Sequence, residues 1–349
     1  MRPFYLSLTV AAGAAMLVSM GWAQQTSTTS PYKVLRTAKV GGDGGFDYIF
    51  ADTKGRRLYT PRNGPMGHLA VFNLDTLEPV GEIDNVSAGG AMVDPKSHHG
   101  FSTTKPITMW DAITLKVIKT IDVDGRPDGI MFDPYNERVW VLSHTPPYAT
   151  VIDAKEGSVV GTIDLGGQPE QAVSDGNGHL YIDLEDKGSV AAVDAQTLRV
   201  TATYDLAGKG GTCAGLALDV KSQVLFVACR NPQTMVILNA NDGKIITTVP
   251  IGAGTDGAVF NPSTMEAFSS QSDGTLTVIK ENSPTSFVVE QNLTTMPVAK
   301  TLTIDRKTNH ILLMSAEFAP APPGAPARPA GPPRGPMLPG SFVLLMVGK

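Results

Sequence analysis

No stretch after the first thirty residues carries a sustained apolar stripe at helical spacing, which excludes a helical domain. One apolar run, residues 4–20, approaches the length of a membrane span, and nothing later does. The formal charge is −5 and lysines and arginines do not cluster, so a nucleic-acid groove is not favoured. Two cysteines allow a single bridge. No GxSxG, HExxH or CxxCH motif is present. GGDGG at 41–45 opens no helix, so it reads as a junction between repeats and not as a phosphate cradle.

What the chain does have is a phrase of about forty residues, the period of a four-stranded propeller blade, repeated along its length. The clearest copy is DGIMFDPYNERVWVLSHTPPYATVIDAKEGSVVGTIDLGGQP, from Asp128. A turn residue follows the first apolar run of every copy: Asp52, Asp94, Asp133, Ser174 or Asp175, Asp219, Asn261 and Asp305. Each copy holds four short runs rich in Val, Ile, Thr and aromatics, separated by Gly, Pro, Asn and Asp. One such sheet cannot bury both faces, and stacking sheets around an axis does. The closing phrase VVxTIxxG also occurs at 33–41, before the first copy, whereas the last copy ends without it. The expected fold is therefore all-β, a seven-bladed β-propeller of four-stranded antiparallel blades. The N-terminal strand closes it, which leaves no open sheet edge.

Arg2, the apolar run and Gly21-Trp22-Ala23 read as a signal peptide over 1–23, with a flexible segment at 24–31 and a single propeller domain at 32–349. No membrane span is expected after cleavage, and a periplasmic or secreted location follows. Cys213 and Cys229 fall opposite each other on adjacent strands of one blade, which suits either a disulfide or two small buried side chains. Residues 319–340, dense in Pro, Ala and Gly, read as a disordered loop insertion in the last blade.

VWVLS with VIDA at 139–154, LFVAC with VILN at 225–239 and LYI with VDA at 180–195 resemble the YVTN/YncE-like β-propeller repeat family. The likeness covers the mature chain, although the literal YVTN is absent and Leu58-Tyr59-Thr60-Pro61 is the nearest form. It implies an exported seven-bladed, WD40-like propeller. Similar proteins are proposed to bind nucleic acid or to sit at the cell surface, and relatives by fold include lactonases and quinoprotein subunits. The fold does not choose among them.

In a propeller the first strand of each blade lines the channel. Five residues before each turn anchor lie Asp47, Gly89, Asp128, Pro169 or Glu170, Ala214, Asp256 and Lys300. Carboxylates gathered there repel unless water, a cation or Lys300 intervenes. The loops between second and third strands bring Arg62, His68, His144 and Arg230 to the same face. Asp before Gly is equally a turn signal, and its recurrence at equivalent positions favours that plainer role. The expectation is an exported non-enzymatic binding or scaffold protein. A small polar ligand or an envelope protein would engage the channel mouth. A lactonase-type hydrolase or lyase, or an accessory subunit of an envelope redox or metal system, is the alternative. No cofactor and no metal ligand set is assigned, a channel-mouth cation is left open, and a monomer is expected.

Overall fold

A computed structural model describes residues 1, 31–65, 67–326 and 333–349. The expected signal peptide and nearly all of the segment at 24–31 lie outside the described residues. Among the described residues every regular element is a strand, and no helix is long and apolar enough to cross a membrane.

The strands form seven four-stranded antiparallel sheets. Blades 1 to 6 comprise residues 50–84, 91–121, 127–163, 169–205, 213–250 and 255–294, each with its strands in chain order from the axis outward. Blade 7 takes Leu302–Asp305, His310–Ser315 and Val343–Gly348 from the end of the chain, and Lys33–Lys39 from the beginning as its outer strand. Lys33 pairs with Gly348 and Lys39 with Val343. Tyr32 clamps this strand to blade 6: its N–H donates to Gln291 Oε1 and its carbonyl accepts from Gln291 Nε2, each at 2.8 Å.

The turn anchors close the first hairpin of each blade. Asp94 Oδ1 accepts from Lys96 N, Asp219 Oδ1 from Lys221 N, and Asn261 Oδ1 from Ser263 N, at 2.9 to 3.0 Å. Inner strands are buried on both faces, as in Val224–Cys229, whereas the outer strand Val117–Ile121 is exposed except for its last residue. Hydrophobic packing accordingly lies between blades. Leu216, Leu225 and Val236 of blade 5 pack with Tyr181, Val190 and Ala192 of blade 4. Leu312, Met314 and Phe342 of blade 7 pack with Leu58, Phe72 and Leu74 of blade 1. A disulfide joins Cys213 to Cys229 on paired strands of blade 5.

The expectation of a structureless segment over 319–340 is corrected at its flanks. Phe318 bridges Met337, Ala319 N donates to Pro336 O at 2.9 Å, and Leu338 N donates to Glu317 O at 2.8 Å. Phe318 and Met337 rest on the packing layer between blades 1 and 7. Those two apolar side chains give a Pro-rich stretch something to bury. Residues 327–332 lie outside the described residues.

Candidate functional site

The first strand of several blades is bulged where it approaches the axis. The register slips between Pro127 and Ile130, between Pro169 and Ala172, and between Thr255 and Ala258. A bulge leaves residues unpaired and re-aims their side chains, and here those residues include Asp128, Glu170 with Gln171, and Asp256. Glycine follows Asp128 because the blades crowd each other: a Cβ on Gly129 would stand 2.5 Å from Glu170 O. The turn role favoured for Asp before Gly is therefore corrected: Asp128 pairs with His144 of its own blade's top loop, and Asp256 bonds Arg230 and Lys300 across blades.

Asp256, almost wholly buried, is held by Arg230 through one oxygen and by Lys300 through the other. Arg230 also reaches Glu185 at 2.5 Å and donates from Nε to Thr255 O at 2.9 Å. Lys300 bonds Asp47 at 3.1 Å. Beside this chain lies a second group: His144 Nε2 is 3.1 Å from Asp128 Oδ2 and 3.0 Å from Glu170 Oε2. The ligand-capable atoms of Asp128, His144 and Glu170 all fall within 4.8 Å of one another, so these three could hold a metal ion.

Asp183 stands behind Glu170, fully buried, with Oδ1 accepting from Gln171 N at 2.6 Å and Oδ2 without a hydrogen-bond partner among the described residues. Burial pushes Asp183 well above the carboxylate range, and the neighbouring charges of Glu170 and Glu185 add to the shift. Burial likewise raises Glu170 and Asp47, outweighing His144 for the one and Lys300 for the other. The carboxylates of Asp128 and then Glu170 lift His144 to about 10. Arg126 opposes them: Nη2 lies 2.5 Å from His144 Nδ1, and a donor-only guanidinium requires the lone pair of a neutral ring there. Protonating the ring therefore displaces Arg126, whose side chain is exposed.

The channel is closed just below these groups. Tyr48 of blade 1 donates to Glu170 O across the axis at 2.9 Å. Gln171 Oε1 accepts from Leu216 N of blade 5 at 2.9 Å and from Ala258 N of blade 6 at 3.2 Å, while its Nε2 donates to Ala258 O. Beneath lies a cavity of about 140 Å³ lined by Phe50, Ile130, Val259 and Leu302 among others. The mouth is thus a blind polar cup.

Of the residues expected at the mouth, Asp47, Asp128, His144, Glu170, Arg230, Asp256 and Lys300 come together. Arg62 does not: it is buried between blades 1 and 7, its guanidinium 3.6 Å from the centre of the Phe342 ring, and burial lowers it to about 9. His68 does not either, lying 3.9 Å from Glu82 on the outer part of blade 1. His144 pairs instead with Asp128 and Glu170. Sequence reasoning missed Tyr48, Arg126, Gln171, Asp183 and Glu185. Adjacency was a signal for two of them, because Tyr48 and Gln171 directly follow Asp47 and Glu170.

No protein-family profile matches the chain. Protein YncE of Salmonella typhi is 30% identical over 149 residues, and YncE of Escherichia coli O157:H7 is 28% identical over the same length. These matches cover 39% of this chain and 41% of the relatives, so the chain aligns with about two-fifths of their length. The chain is a seven-bladed β-propeller similar to YncE over that stretch. Among solved structures the RRP9 WD40 repeats superpose with a TM-score of 0.70 at 10% identity, covering 91% of this chain and 97% of theirs. A chain of the mitotic checkpoint complex gives 0.69 at 11%, covering 90% and 96%. At those identities the likeness shows that the YncE-like chain shares the WD40-type fold, and it says nothing about activity.

Proposed function

We propose that this YncE-like propeller is an exported, non-enzymatic binding protein whose channel-mouth cup captures a small cationic or polar ligand. The observation that carries this reading is the convergence of Asp47, Asp128, Glu170, Glu185 and Asp256 on Lys300, Arg230 and His144 in a cup closed by Tyr48 and Gln171. Acids outnumber bases there, so a ligand bringing positive charge relieves repulsion between buried carboxylates. The Cys213–Cys229 disulfide supports an oxidising compartment, in keeping with the signal peptide expected at the N-terminus.

A thermal-shift screen of polyamines, amino sugars, quaternary amines and divalent cations tests the reading. A ligand that binds only the folded chain raises the midpoint by mass action. The expected result is a concentration-dependent rise in the parent that Glu170→Gln removes. No rise with any cationic compound, or a rise that persists in Glu170→Gln, overturns it.

A further inference from the structure

Resting on the cup as a binding site, we propose that Asp128, His144 and Glu170 form a mononuclear site for a divalent first-row transition-metal ion. The argument begins with geometry. His144 Nε2 stands 3.1 Å from Asp128 Oδ2 and 3.0 Å from Glu170 Oε2, and the ligand-capable atoms of the three residues all lie within 4.8 Å of one another. A ring nitrogen carries at most one hydrogen, and here it faces two carboxylate oxygens. The arrangement calls for one positive centre shared by all three.

A metal ion supplies it. Ligands about 2.0–2.1 Å from a tetrahedral ion are separated by about 3.3 Å, close to the 3.0 and 3.1 Å found here. One imidazole with two carboxylates is a borderline donor set suited to Zn²⁺, Mn²⁺ or Fe²⁺, and lacks the oxygen count of a calcium cage. Three protein ligands leave a position open on the solvent side of the cup for water or a ligand group. Binding through Nε2 moves the ring proton to Nδ1, so Arg126 must leave. Its exposed side chain is free to do so, which makes Arg126 a competitor of the ion.

The test is calorimetric titration of the EDTA-stripped full chain with Zn²⁺, and visible absorption with Co²⁺ as a second probe. The expected result is one ion per chain and a Co²⁺ spectrum of a low-coordinate nitrogen–oxygen site. His144→Ala and Glu170→Gln should each weaken binding by more than the roughly tenfold cost of losing an outer hydrogen-bond partner. Arg126→Ala should tighten it about fivefold, the worth of a screened repulsion between cations a few ångströms apart. Circular dichroism confirms that each variant is folded. Absence of binding, or binding unchanged by His144→Ala but lost in His98→Ala/His99→Ala, overturns the site. If Zn²⁺ and Co²⁺ fail while an organic cation binds and Glu170→Gln abolishes it, the metal site falls and the binding cup stands. If nothing binds, both fall.

Discussion

Asp256 sits between Arg230 and Lys300 with almost no access to water. Removing its charge strands two cations in a poorly solvated place, and an uncompensated buried charge is costly. Asp256→Asn is expected to lower stability by about 3 kcal/mol in urea unfolding; a loss within error would show that the cup tolerates its cations unpaired. Asp305 works at the far side of the ring. Burial raises its pKa, but paired hydrogen bonds from Arg56, both at 2.8 Å, and that of Thr308 outweigh burial and bring it to about 2. Because the folded value lies below the unfolded one, this stabilisation is complete above about pH 4 and is lost as pH falls toward 2. The gap in urea midpoint between parent and Asp305→Asn should therefore be wide at pH 6 and about half as wide at pH 3. A gap independent of pH would remove the ion pair from the account.

At the scale of elements, the hairpins are built from one device repeated, an Asp or Asn side-chain oxygen accepting backbone N–H groups of its own turn. The residue that closes such a turn adopts a left-handed conformation, as His98, Glu137 and Gln223 do. Blade 5 adds the disulfide, which closes a loop with a sequence separation of 16. Replacing both cysteines with alanine is expected to cost about 3 kcal/mol, as loop-closure entropy returns to the unfolded chain. Equal urea midpoints with and without the bridge would contradict this. The described flanks of the Pro-rich insertion pack, with Arg334 lying 4.3 Å over the Phe318 ring. Exchanging residues 321–333 for a short Gly/Ser linker should change stability by no more than about 1 kcal/mol, since closure entropy varies slowly with loop length. Phe318→Ala, which empties a site on the layer between blades 1 and 7, should cost more than the whole loop exchange. The reverse order would mean that the tip is packed.

The whole ring is a chain of blade–blade layers with no central core, so its integrity depends on every layer being present. Closure rests on Lys33–Lys39 and on the double hydrogen bond of Tyr32 with Gln291. Deleting residues 31–41 exposes the edge of Val343–Gly348 and removes the contact of Tyr32 with Phe268. The truncated chain is expected to aggregate or to unfold at a clearly lower temperature, measured by light scattering during a thermal ramp. An unchanged midpoint would show that three strands suffice for blade 7.

The repeat period, the turn residues and the spare first strand carried the architecture, because blades are made of local contacts whose pattern is written in consecutive residues. The same pattern placed Asp47, Asp128, Glu170, Asp256 and Lys300 on one rim, since equivalent positions in equivalent blades face the same way. What it could not supply was distance across the axis. Gln171 became the channel plug through backbone groups more than forty residues away, and Arg62 and His68 left the rim because packing against Phe342 and the outer part of blade 1 took them. Periodicity determined the fold of this protein. The surroundings of His144, and hence the chemistry of the cup, were decided only when two blades brought their charges within hydrogen-bond reach, because electrostatics depends on separation in space and not on order in the chain.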